Sequence, residues 1–204
     1  MSQGSVVRLF VARPVRAAFD TILRTEMVPD LLALPGLRAL WIGRHGPDEL
    51  GDRAIVSLWD SAESMRAVMG EDIEHSRFHP EHLAETTHRR LEVLPVLAEV
   101  WSADPPPPTI LRIARGRLMH VDLPTYTADV DAGARRDLAR GRGPGTLLLC
   151  EVAPDAFVTI STWADWDAIA TATGASFDRP VRTREEHAID GFSELHLELV
   201  RLDR

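Results

Sequence analysis

All 23 of the lysine-plus-arginine residues in this chain of 204 are arginine; there is no lysine. Without a lysine amine the chain forms no Schiff base and builds no P-loop phosphate clamp. There is no asparagine, one glutamine (Gln3) and one tyrosine (Tyr126), so a mechanism needing an amide side chain deep in a pocket has nothing to draw on. Cys150 is the single cysteine, which excludes an internal disulfide and a thiolate metal cluster; within "TLLLCEV" it reads as a small buried hydrophobe. No apolar run reaches the roughly 18 residues of a membrane span, and "MSQGSVVRLF" lacks the basic-then-apolar order of a signal peptide. The net charge is −8, the wrong sign for a phosphate backbone. The expectations are a cytoplasmic protein with no nucleic-acid and no membrane partner. No Ser-His-Asp order, glycine-rich nucleotide loop or HExxH motif is present.

The composition is that of a globular chain, 45% hydrophobic and 26% charged. Its organising feature is a repeat. "SLWDSAESMRAVMG" (57–70) returns as "STWADWDAIATATG" (161–174), with serine, tryptophan and glycine at identical spacing. Four consecutive prolines in "WSADPPPPTI" favour extended polyproline II, a stiff spacer. The expected division is a first repeat over 1–101, a linker over 102–108 and a second repeat over 109–204.

Each half reads strand, helix, strand, strand, helix, strand. In the first, "VVRLFVA" is a strand, and Phe19, Ile22, Leu23, Met27, Leu31 and Leu34 fall at helical spacing with a kink expected at Pro29. "RALWIG" and "RAIVSLW" are the next strands. Asp60 is the expected N-cap of the second helix, with Glu63 in capping-box register, and Met65, Val68 and Met69 point inward. "PEHLAETTHRR" reads as a further helix and "LEVLPVLAEVW" as the closing strand. In the second half the strands are "TILRIARGRLMHV", "TLLLCEV", "AFVTISTW" and "FSELHLELVRL". The helices are "PTYTADVDAGARRDLARG" and "DWDAIATATG". This order predicts an α+β fold: two ferredoxin-like βαββαβ repeats, each an antiparallel sheet with its helices on one face. Runs such as "LLLC" and "ALWI" are apolar on successive residues, so the sheets are expected to pack face to face as an intrachain dimeric α+β barrel.

"PGL" after the first helix, "VSLWDSAESMRA" at the end of the third strand, Gly70 followed by "EDIEHSRFHPE", and the second-half "ISTWADWDAIATATG" and "HLEL" resemble the antibiotic biosynthesis monooxygenase-like family. The resemblance covers nearly the whole chain as a tandem fused repeat, and it implies a pocket between the sheet and helices of each half. Trp59 and Trp163 match the family's strand-end tryptophan. Where the aromatic-oxidising members place an asparagine this chain has Ile55 and Thr159, and where they place a tyrosine it has Met65 and Ile169. The superfamily also holds haem-binding proteins and members without known activity.

The expected function is therefore cofactor-independent, monooxygenase-like chemistry on a flat phenolic or polyketide-like molecule. The alternatives are haem binding and a non-catalytic small-ligand-binding or assembly module. No cofactor is expected in the first reading, because the substrate anion itself activates oxygen. His75 and His79, in "EHSRFHPEH" with His82, are the candidate catalytic residues, as a general base or as a haem ligand; surface histidines in a charged connection are the plainer reading. Trp59, Met65, Trp163 and Trp166 are the candidate substrate-binding residues, and core packing at a strand end explains the two matched tryptophans equally. His187 stands alone, and His196 should share a strand face with Glu194 and Glu198. Arg135, Arg136, Arg140 and Arg142 complement a helix C-terminus. The histidine cluster places the expected single ligand site in the first half. The partner is a small aromatic or apolar molecule, and the chain is either a monomeric pseudo-dimer or a homo-oligomer.

Overall fold

The computed structural model describes residues 4–46, 50–73, 84–173 and 189–200. Eight strands and the helices between them follow the order expected from the repeat. The strands are β1 (Val6–Pro14), β2 (Leu37–Arg44), β3 (Arg53–Trp59), β4 (Thr86–Trp101), β5 (Ile110–Leu118), β6 (Thr146–Ala153), β7 (Ala156–Trp163) and β8 (Ile189–Leu199). The α-helices are α1 (Phe19–Ile22), α2 (Val28–Leu32), α3 (Ala62–Met69), α4 (Leu123–Leu138) and α5 (Trp166–Thr173).

The residues form two compact units, Met1–Pro95 with Leu197–Arg204, and Val96–His196. In the first, the order β4-β1-β3-β2 continues into the end of β8 through Gly43↔Leu199 and Arg44↔Glu198. In the second, β8-β5-β7-β6 continues into the end of β4 through Val96↔Cys150 and its neighbours. Fourth-first-third-second is the ferredoxin-like strand order, and each half has it. The change of unit falls inside β4, not at the proline run. β4 pairs with β1 as far as Val6↔Pro95, and Pro95 has no N–H with which to extend that ladder. Pro105 to Pro108 form an exposed connection between β4 and β5.

Three local expectations change. The first helix is interrupted a turn before Pro29: Leu23–Met27 is a π-helical turn in which the Val28 N–H donates to the Leu23 carbonyl, five residues back. A proline offers no N–H to the turn before it, and the wider turn takes up that deficit. The N-cap of α3 is Ser61 rather than Asp60. Its hydroxyl accepts from the Ser64 N–H at 3.0 Å, while the Ser64 hydroxyl accepts from the Ser61 N–H at 3.1 Å. Finally, Thr86 to Arg90 open β4 instead of continuing a helix. They pair with β1 (Pro14↔Thr86, Arg13↔Thr87, Val11↔Arg90), and His88, at φ 48°, sits at the bulge where that register shifts. The rest of that expected helix, Pro80 to Leu83, lies outside the described residues.

The first unit buries Phe10, Ile42, Ile55 and Trp59 of its sheet against Phe19, Leu23 and Met27 of the interrupted helix and Met65 and Met69 of α3. In the second, Leu147, Leu149 and Phe157 meet Leu123, Tyr126, Val130 and Ala134 of α4. The helix α4 starts where Asp122 accepts from the Thr125 N–H at 2.8 Å, with Pro124 in the first turn. Gly36 makes the turn from α2 into β2 at φ 81°, and an added Cβ would lie 2.8 Å from the Ser64 Cβ. Gly36→Ala is therefore expected to lower unfolding stability by about 2 kcal/mol, combining left-handed backbone strain with a crowded contact. Urea denaturation should show the loss as a lower midpoint at an unchanged slope.

Candidate active site in the second half

On β5 and β7 of the second unit, alternate residues face α4: Arg112 and Ala114 on one strand, Thr159, Ser161 and Trp163 on the other. The ladder sets Arg112 opposite Ser161 and Ala114 opposite Thr159. Tyr126, Val130 and Ala134 come from successive turns of α4 and close the other side, with Asp137 at the helix end. Between these layers lies a narrow cleft with a cavity of ≈ 30 Å³. That void is about the size of one water, so a larger ligand enters it only if the walls part.

The cleft is aromatic on its walls and polar at its edges. The rings of Tyr126 and Phe157 lie 4.7 Å apart, tilted by 35°. Trp163 is fully buried, and its indole N–H donates to the Ser161 hydroxyl at 2.8 Å. Arg112, 1% exposed, is paired with Glu194 of β8 through Nη2 at 2.5 Å and Nε at 3.1 Å. Burial raises the pKa of Tyr126, and the Arg112 charge opposes that shift. The tyrosine therefore stays protonated at neutral pH.

Of the residues expected to bind substrate, Trp163 lines this cleft. Trp59 and Met65 are fully buried in the first unit, where the Trp59 indole N–H donates to the Ser57 hydroxyl at 2.9 Å. Trp166 is 48% exposed at the start of α5, its ring 5.1 Å from that of His196. His75 and His79, with His82 and His187, lie outside the described residues. His196 does share its strand face with Glu194, Nδ1 standing 3.8 Å from Oε1. Cys150 is buried, as expected, and burial pushes its thiol pKa up. Among the described residues no group of three or more metal-ligating side chains gathers, and no helix is long and apolar enough to cross a membrane.

Arg112, Tyr126, Ala114 and Thr159 were not candidates on sequence grounds. One signal was there to read: an arginine stands inside an apolar strand at the same place in both halves, Arg8 in "VVRLFVA" and Arg112 in "ILRIARG". A charge repeated in two core strands needs a reason.

No family model matches the chain, and no curated protein matches it in sequence. Solved structures match it in fold. A candidate monooxygenase from Lactobacillus acidophilus NCFM superposes with a TM-score of 0.64 at 11% identity, over 98% of this chain and 95% of its own. An anthrone oxidase-like protein gives 0.57 at 14% identity, over 97% and 92%. A variant chlorite dismutase from Candidatus Nitrospira defluvii, solved with cyanide, gives 0.54 at 11% identity, over 97% and 91%. The chain has the ferredoxin-like α+β fold that monooxygenase-like proteins and chlorite dismutases share.

On β8, burial and the Arg112 charge lower the pKa of His196 to about 4, so the imidazole is neutral at neutral pH. Between its ordinary value near 6.5 and that lowered value, the unfolded chain binds a proton that the folded chain refuses. The histidine's contribution to stability is thus fully present above pH ~6.5 and is lost as pH falls toward ~4. His196→Phe keeps a ring beside Trp166 and removes the titration. The drop in melting temperature between about pH 7 and pH 4.5 should shrink in that variant relative to wild type, as followed by circular dichroism.

Proposed function

We propose that the second-half cleft binds a small, flat, ionisable aromatic, a phenol or an anthrone-type enol, and oxidises it with dioxygen. The observation that carries this reading is the buried guanidinium of Arg112 at the edge of an aromatic cleft. Such a cation favours a substrate as its anion, and it acts strongly where water is excluded. The Glu194 carboxylate holds it in place and moderates its field. Once ionised, an electron-rich ring reduces oxygen without a metal or flavin. A ring CH₂ and O₂ become a ring carbonyl and water, one oxygen atom going to each product.

The chain's own groups divide the work. Asp137 is the carboxylate among the described residues lining the cleft, and it accepts the proton that leaves the substrate. Tyr126 and Thr159 present hydroxyls along the cleft, and the rings of Trp163 and Phe157 form apolar walls for a planar ligand. The small side chains of Gly133, Ala134 and Ala172 leave room on the helical side for the walls to part. Haem, the alternative that the resemblance raises, does not fit this cleft. Among the described residues that line it there is no His, Cys or Met to serve as an axial ligand.

Oxygen uptake with an anthrone, measured after metal chelation, tests the proposal. Uptake should rise with pH as the anthrone ionises. Arg112→Gln combined with Glu194→Gln removes both charges together, so no buried ion is left unpaired. That variant should lower kcat by roughly 10²-fold or more with a smaller change in KM, as for loss of an anion-stabilising donor. Wild-type protein that takes up no oxygen and binds no anthrone would overturn the reading.

A further inference from the structure

The two halves place the same framework around the space between sheet and helices, and then fill it differently. Arg8 faces Ser57 across β1 and β3 as Arg112 faces Ser161 across β5 and β7. The indoles of Trp59 and Trp163 donate to those serines in the same way. The next inward-facing pair differs. In the first half it is Phe10↔Ile55, both buried and packed against Phe19, Leu23 and Met27. In the second it is Ala114↔Thr159, and the cleft lies on top of it. The helical side follows the same trend, because Val68 and Met69 of α3 correspond in the repeat to Ala172 and Thr173 of α5.

We propose that this inward-facing pair decides which half takes ligand: Phe10 and Ile55 plug the first copy of the site, while Ala114 and Thr159 leave the second copy a void that a flat aromatic enters as the walls part. A phenyl ring and a sec-butyl group fill the volume that a ligand ring would otherwise occupy, at the same ladder position and from the same strands. Ala114 and Thr159 are thereby the specificity-determining residues of the second half, setting how far a ring reaches toward the middle of the sheet. The ligand class rests on the functional reading above; the plug does not.

Exchanging the pairs tests this with two probes, xenon for empty apolar space and 1-naphthol as a flat phenol. Wild type should take one 1-naphthol per chain by calorimetry. Ala114→Phe with Thr159→Ile should weaken that binding at least tenfold while the thermal transition stays cooperative. Phe10→Ala with Ile55→Thr should add a xenon site in the first half, seen by crystallography under xenon pressure, and raise the naphthol count toward two. If the double opening fails to fold, Ile55→Thr alone should still admit xenon there, and the second-half exchange stands by itself. A folded opened variant without first-half xenon, or a filled second half that binds naphthol as wild type does, overturns the proposal. Wild type that ignores naphthol overturns the ligand class and leaves the xenon experiment to decide the plug.

Discussion

A guanidinium held between an apolar sheet and its helices is the constraint around which each half is arranged. Arg8 and Arg112 are 4% and 1% exposed. Removing such a charge from water costs several kcal/mol, and arginine cannot escape by losing its proton near neutrality. Burial lowers the pKa of Arg8 only to about 10. The fold must therefore bring partners to the cation. Arg8 donates from Nε to the Ile73 carbonyl at 3.4 Å, and Arg112 is met by the Glu194 carboxylate from the last strand. Those partners come from distant parts of the chain, so Arg8 ties β1 to the segment after α3 and Arg112 ties β5 to β8. The serine opposite each arginine then receives a buried indole N–H, which leaves the tryptophan no cost for an unmet donor.

The same framework serves stability in one half and space in the other. Where the sheet offers Phe10 and Ile55, the helical stripe of Phe19, Leu23 and Met27 packs against them. Where it offers Ala114 and Thr159, α4 brings Tyr126, Val130 and Ala134, and the space left over is lined by hydroxyls, rings and a cation. The larger side chains in the first half trade that volume for packing. Each buried methylene gained that way is worth about 0.8 kcal/mol.

Much of the architecture was legible before any coordinate. β3 spans the "RAIVSLW" read from alternation and β-branched content, and the helices α3 and α5 follow the repeated Ser-Trp spacing. The misreadings share a cause. Thr86 to Arg90 has the composition of a helix continuing from "PEHLAE", yet β1 offers it an unfilled ladder, and pairing outweighs propensity. The cap of α3 slides from Asp60 to Ser61 because the Ser61 and Ser64 side chains satisfy each other. Of the residues that line the cleft, Trp163 was named from its motif. Arg112 and Tyr126 were not, since nothing local says that a strand arginine and a helix tyrosine face one cleft.

The sequence by itself determined that this chain is a doubled α+β unit, that its chemistry does without lysine, asparagine and disulfides, and that a tryptophan ends the third strand of each half. Those properties follow from composition and from short-range periodicity, which each residue carries with it. The location of the cleft was decided only in three dimensions. It depends on which side chains meet across a ladder and how much volume remains when a helix settles over them. Volume is a sum over residues from separate strands and helices, and Phe10 with Ile55, or Ala114 with Thr159, acquires its meaning when the register makes the two a pair.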